Sequence, residues 1–172
     1  GSGKTEIYLR MAARVLAAKS DKARLLALLE PTGGYDETFW QTCIEQGWTA
    51  LAIPEEHGGL GLGLIELGIV AQACGTATAG APFLLSNYAA SEALLLAGHA
   101  GAQAQWLPKL AAGEAIGTLA LSEGNDVLPH RIGVRFAGGK LSGSKRGVIA
   151  GLNAHFAVVL AQAFVIPKLR LR

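Results

Sequence analysis

Gly47-Trp48-Thr49-Ala50-Leu51-Ala52-Ile53-Pro54-Glu55-Glu56-His57-Gly58-Gly59-Leu60-Gly61 interrupts an otherwise helical pattern in a sequence of 172 residues. Leu51 to Pro54 is short and apolar, and Glu55 to Gly63 holds four glycines. Glycines at 58, 59, 61 and 63 allow a backbone path that residues with a Cβ resist. A linker would not carry Leu60 and Leu62 between its glycines. The stretch therefore reads as a structured loop that packs helices together. Glu55 and Glu56 within it read as solvated or capping carboxylates ahead of any acid-base role.

On the N-terminal side of this loop, Glu6 to Lys19 places Ile7, Leu9, Met11, Val15 and Leu16 largely along one side at helical spacing. Ser20 can cap a second helix through Leu29, stopped by Pro31. Asp36 reads as the N-cap of a third, with Tyr35 and Trp40 placed as a hydrophobic staple. That helix runs to Gln46, and Gly47 suits the left-handed position after it. On the other side, helical periodicity returns from Leu64 to Gly75, Ser86 to Ala97 and Ala102 to Ala112, with Gly98 and Gly113 as stops. From Ala115 the grammar is that of strands: Ile116 to Leu121, Arg131 to Phe136, a Gly138-Gly139 turn into Lys140 to Lys145, Gly147 to Ala150, and Phe156 to Ala161. The fold class is α+β, an N-terminal all-helical domain followed by an incomplete antiparallel β-domain. The division expected is an N-terminal helix over residues 1–19, a helical domain over 20–114 and a truncated β-domain over 115–172.

Apolar residues make up 51% of the chain and charged residues 16%, with a mean hydropathy of +0.34. So low a charge density implies surface meant to be covered by a cofactor, a second subunit or a further piece of the same chain. The net charge is +2, and no basic run interleaved with aromatics suggests a nucleic-acid surface. The apolar region from Leu64 to Leu85 contains Glu66, Gln72 and several Gly and Pro residues, too interrupted for a membrane span. Cys43 and Cys74 lie in helical stretches without a CxxC spacing and read as small buried hydrophobes in a reducing compartment, with a disulfide or reactive thiol as the alternative. His57, His99, His130 and His155 are scattered without metal-like spacing and read as loop or surface residues. No signal-peptide pattern opens the sequence, and the expectation is a cytoplasmic globular protein.

The opening loop resembles the hallmark loop of acyl-CoA dehydrogenases, and three further segments follow in the family's order. Gln105-Trp106-Leu107-Pro108-Lys109-Leu110-Ala111-Ala112-Gly113-Glu114 resembles the helix end before its sheet domain. Ile116 to Glu123 resembles the first sheet strand and its flavin-contacting end, and Leu141-Ser142-Gly143-Ser144-Lys145 resembles the later L-x-G-x-K strand. The resemblance covers roughly residues 12 to 161. It implies a flavoprotein oxidoreductase of fatty acid and lipid metabolism, which removes two hydrogens from the α and β carbons of an acyl-CoA thioester with FAD as hydride acceptor. The family's catalytic glutamate lies in a C-terminal helical bundle for which no matching segment is read here, so no catalytic residue is assigned and the chain is expected to be inactive alone.

By the same resemblance the flavin-binding positions are Leu119, Leu121, Ser122, Asn125 and Ile149. Leu119 to Ser122 would run beside the flavin ring, with the backbone of Leu121 and Ser122 and the Ser122 hydroxyl on its polar edge. The family's longer loop is reduced here to Ser122-Glu123-Gly124-Asn125-Asp126. After Lys145 the family commonly has an aromatic residue and then a threonine or serine; Gly147 and Ile149 stand in those places. Loss of the aromatic and the hydroxyl weakens the case for FAD and supports a second reading, a non-catalytic partner subunit in a homo- or hetero-oligomer with a related chain. At the N-terminus, Gly1-Ser2-Gly3-Lys4-Thr5 resembles the end of a Walker A loop, and residues 1–16 resemble a replication-restart helicase segment that could be foreign to the rest. The upstream glycine and strand that such a loop needs are not in the sequence.

Overall fold

A computed structural model describes residues 3–19, 22–28, 34–77, 82–97, 99–126 and 130–163. Among the described residues six α-helices come first: α1 Gly3–Lys19, α2 Lys22–Ala27, α3 Glu37–Glu45, α4 Leu64–Thr76, α5 Ser91–Ala97 and α6 Ala100–Ala111. Strands follow: β1 Gly117–Ala120, β2 Arg135–Ala137, β3 Lys140–Ser142, β4 Phe156–Val159 and β5 Gln162–Ala163. The expected Ser20 cap and the Leu29 and Pro31 stop lie outside the described residues, as does Gly98.

Local signals account for the helix ends. Asp36 accepts a hydrogen bond from the Phe39 N–H at 2.9 Å, giving α3 its N-cap, and Gly47 is left-handed beyond its end (φ 68°). Glu66 reaches back to the Gly63 N–H at 3.1 Å and closes the start of α4. At the end of α6 the Glu114 N–H donates to the Lys109 carbonyl and the Gly113 N–H to that of Leu110, with Gly113 left-handed (φ 71°). Helix α1 packs on α4. Its buried stripe is Ala12 and Leu16, with Leu9 and Val15 partly buried beside them. Ile7 and Met11, expected on that face, are exposed.

The Walker A resemblance of residues 1–16 is not borne out. From Gly3 onward the backbone is helical, so Gly3, Lys4 and Thr5 follow a helix course instead of the wrapping path that cradles phosphates.

The glycine-rich loop joins two apolar cores. Leu51 belongs to the first, with Phe39, Trp40, Cys43, Leu67 and Val70; Ile53 belongs to the second, with Leu94, Leu107 and Leu110. The loop folds back on itself through Leu60 N–H to Ala50 O (2.8 Å), Leu62 N–H to Leu51 O (2.8 Å) and Gly61 N–H to Ile53 O (2.9 Å). A Cβ on Gly59 would fall 1.8 Å from the Ile53 carbonyl oxygen, so this return path is open to glycine alone.

The stretch expected as one helix from Ser86 opens as a π-helix, Leu84–Ala90, that runs on into α5. It turns consecutive polar residues inward: Ser86 and Asn87 are both buried. Ser86 Oγ accepts from the Gly117 N–H at 3.0 Å, tying the helices to the first strand. Asn87 Nδ2 donates to Thr49 O at 2.6 Å, and Thr49 Oγ1 donates to Ala111 O at 2.8 Å.

The helices-then-strands order is as expected, while the pairing is mixed. The β2–β3 hairpin is antiparallel over a turn whose Gly138 and Gly139 both have positive φ (57° and 76°). β1 pairs with β4 in parallel, and β2 with β5 in parallel. Gly147 to Ala150 forms no strand: Gly147 and Ala150 have φ of 60° and 56° and turn the chain.

Candidate functional site

Strand β1 delivers Leu119 to the mouth of a cleft of about 400 Å³, and the loop that follows carries Leu121, Ser122 and Asn125 along one wall. Ile149, from the segment after β3, lines the same cleft. All five residues expected at a flavin thus line one cavity, completed by Gly124, Asp126 and Gly147. Its walls are apolar at Leu119, Leu121 and Ile149 and polar at Ser122, Asn125 and Asp126. Ile149 is 66% exposed, an apolar side chain standing open to the cleft.

Four contacts suture the two walls. Thr118 Oγ1 donates to Ile149 O at 2.7 Å, and the Arg146 N–H to Ser122 O at 2.9 Å. Lys145 Nζ donates to Leu121 O at 2.9 Å and to Glu123 Oε1 at 2.6 Å. The Ser122 hydroxyl is engaged with the carbonyls of Gly124 (3.0 Å) and Asp126 (2.6 Å), which closes the short loop on itself. With the Leu121 and Ser122 carbonyls engaged, hydrogen bonding to a ligand from these residues falls chiefly to their N–H groups and to the lone pairs of the Ser122 oxygen.

Glu123 is the residue whose part the sequence did not disclose. Its Oε2 accepts from the Gly133 N–H at 2.6 Å and its Oε1 from the Val134 N–H at 3.0 Å. Those N–H groups therefore serve a carboxylate instead of a strand ladder, which is why only Arg135 and Phe136 of the expected Arg131 to Phe136 strand fall in β2, which runs on to Ala137. The Lys145 ammonium, then the Val134 and Gly133 N–H groups, hold the Glu123 carboxyl down at about 2 against an ordinary 4.5. A pairing across 22 residues leaves no local pattern in the sequence. Only the lysine of the L-x-G-x-K segment pointed toward it.

The other candidates have structural roles. Cys43 and Cys74 are free and buried in the first core; burial pushes the Cys43 thiol far up and that of Cys74 to about 11, so neither is a ready nucleophile. His99 Nδ1 accepts from the Ala102 N–H and caps α6, while His155 Nδ1 accepts from the Ile116 N–H, both at 3.0 Å. Glu55 and Glu56 are exposed. Among the described residues no group of three or more His, Cys, Asp or Glu side chains could hold a metal, and no helix is long and apolar enough to cross a membrane.

Comparison with known proteins identifies the family. Residues 4–114 match the family model described as the acyl-CoA dehydrogenase N-terminal domain. That match takes in most of the segment likened to a helicase. The chain is 43% identical over 110 residues to acyl-CoA dehydrogenase IpdE2 of Mycobacterium tuberculosis, covering 63% of this chain and 34% of that protein. It is 35% identical over 127 residues to acyl-CoA dehydrogenase FadE28 of the same organism, covering 74% and 37%. Among solved structures, a variant of the Tcur3481–Tcur3483 steroid ACAD superposes with a TM-score of 0.78 at 27% identity, covering 93% of this chain and 45% of that one. The ChsE4–ChsE5 complex of Mycobacterium tuberculosis shares the fold, with a TM-score of 0.83 at 24% identity over 95% of this chain and 45% of that one. The chain spans about a third of the length of the curated relatives it matches. With the family model covering well over half of its residues, the chain belongs to the acyl-CoA dehydrogenase family.

Proposed function

We propose that this chain supplies the flavin-facing half-site of an acyl-CoA dehydrogenase-type flavoprotein and is inactive alone. The observation that carries the reading is the convergence of Leu119, Leu121, Ser122, Asn125 and Ile149 on one cleft. Apolar walls with a polar end suit a flat heteroaromatic ring that has an apolar face and a hydrogen-bonding edge. In this role Leu119, Leu121 and Ile149 cover the ring face, and Ser122 and Asn125 address its polar edge. FAD, when bound, would provide the hydride acceptor for α,β-dehydrogenation of an acyl-CoA thioester. The chain's own contribution is binding and orientation, since none of its residues is assigned as the base. The division at residues 20–114 and 115–172 into helical and sheet domains belongs to the same reading. So does a reducing, cytoplasmic setting, which the two free buried thiols support.

The test is an absorbance spectrum of the purified 172-residue chain after incubation with FAD and removal of free cofactor. Retained flavin absorbance is the expected result; a colourless, folded protein would sink the half-site reading. That second outcome would favour the alternative, a non-catalytic subunit that completes a related flavoprotein. Gly147 and Ile149, in place of an aromatic and a hydroxyl, favour it, and both superposed structures are named as pairs of chains. Retention of a co-expressed acyl-CoA dehydrogenase subunit through size-exclusion chromatography would support that alternative, and a lone monomer would count against it.

A further inference from the structure

We propose that the Glu123–Lys145 pair is a positioning strut that fixes the distance between the two walls of the flavin-facing cleft. The proposal rests on the half-site reading above, and it concerns how the walls are held. One wall is the segment after β1, of which Leu121, Ser122, Gly124, Asn125 and Asp126 line the cavity. The other is the segment after β3, whose Gly147 and Ile149 lie two and four residues beyond Lys145.

Lys145 and Glu123 sit at the root of both. The ammonium holds the first wall at two points, the Leu121 carbonyl (2.9 Å) and the Glu123 carboxylate (2.6 Å). The carboxylate in turn carries a third segment, taking the Gly133 and Val134 N–H groups at 2.6 and 3.0 Å. The lysine side chain is 7% exposed and the glutamate 17%, so water competes little for the ion pair itself, while the Gly133 bond lies at its exposed edge. A Cβ on Gly133 would fall 2.7 Å from Glu123 Oε2, so a larger residue there would have to displace the carboxylate. Three segments distant in sequence thus meet on two side chains. Neither side chain lines the cleft, so both act through the residues that do.

This arrangement differs from a surface ion pair, which holds two flexible side chains in water and contributes little. Here every bond is charge-assisted and three of the partners are backbone groups, one of which, the Leu121 carbonyl, belongs to a residue of the cleft wall. Removing the carboxylate frees the ammonium to swing from Leu121 and leaves the two N–H groups without their acceptor. The walls then spread where the ring edge would lie.

The experiment compares the wild-type chain with E123Q, E123A and K145R. FAD affinity is read by quenching of flavin fluorescence, the bound-flavin absorption spectrum by its vibronic resolution, and the Gly133 and Val134 amides by hydrogen exchange in the absence of flavin. E123A should bind FAD roughly tenfold more weakly with a blurred spectrum, and should lose protection at both amides. E123Q should fall between, and K145R, which keeps the charge, should retain most of the wild-type spectrum. Far-UV circular dichroism reports whether each variant is folded. A folded E123A with wild-type affinity and spectrum overturns the strut. If the wild-type chain binds no FAD, the half-site reading falls while the strut is still judged by exchange: unchanged protection at Gly133 and Val134 in E123A overturns it, and lost protection upholds it.

Discussion

Three donors surround the Glu123 carboxylate: an ammonium and two backbone N–H groups. Each stabilises the ionised form, and together they depress its titration from an ordinary 4.5 to about 2. The folded state therefore binds its proton less readily than the unfolded chain. Stability from this group is fully present above about 4.5 and is lost as the pH falls toward about 2. Wild-type protein should thus lose denaturation midpoint steadily across that window. E123Q, already uncharged, should begin lower at neutral pH and lack the part of the slope that belongs to this carboxylate. Parallel midpoint-against-pH curves for the two proteins would show that the ionised group contributes nothing. Lys145 is the charged partner in contact with it.

At the scale of elements, the π-helix Leu84–Ala90 decides how the helices meet the sheet. Ser86 and Asn87 are both buried, Ser86 bonded to the Gly117 N–H of the first strand and Asn87 to the Thr49 carbonyl of the glycine-rich loop. Asn87 Nδ2 serves the Thr49 and Leu110 carbonyls, so N87A should remove a donor from each, while Leu110 keeps the Gly113 N–H. Its own Oδ1 is buried without a partner among the described residues, and removing that orphan offsets part of the loss. A net destabilisation of about 1–2 kcal/mol is expected from urea denaturation, and an unchanged midpoint would show that the bridge to the glycine-rich loop is idle. Elements with local causes were legible in the sequence: the Asp36 cap, the Gly47 and Gly113 stops, the Gly138-Gly139 turn and the glycine-rich loop each follow from residues a few positions apart. The five cleft residues came from resemblance, and their meeting place from the fold. What stayed hidden depends on distant partners. Gly133 and Val134 read as strand because nothing nearby announces a carboxylate ten residues upstream. Gly147 to Ala150 read as strand because Val148 and Ile149 suit one, though the chain turns there. The π-helical register looks the same as an α-helical one when only the spacing of apolar residues is read.

For the whole molecule, apolar burial is lopsided. Both cores are built mainly from helices and the glycine-rich loop, with Ile116 and Ala115 marking their border with the sheet. The sheet's hairpin has no such support: every residue of β2 and β3 is exposed, and Phe136 and Leu141 present apolar side chains to solvent. Cooperative stability follows buried contacts, so opening free energies should differ along the chain. Hydrogen exchange should find the slowest amides in α3, α4 and α6, around Cys43, Val70 and Leu110, which are all fully buried. Amides of β2 and β3 should exchange fast, although they are paired, because a short three-stranded sheet whose third strand is two residues long is marginal without a covered face. β1 should fall with the helices, since Gly117 is tied to Ser86 and Ile116 lies in the first core. If the hairpin proves as protected as α4, something covers it in solution, and self-association through the exposed face becomes the first explanation to examine by sedimentation. If it exchanges fast while β1 stays slow, the helical layer folds as the cooperative unit and carries the first wall of the cleft with it. The second wall is then held chiefly by the Lys145, Arg146 and Thr118 contacts to the first.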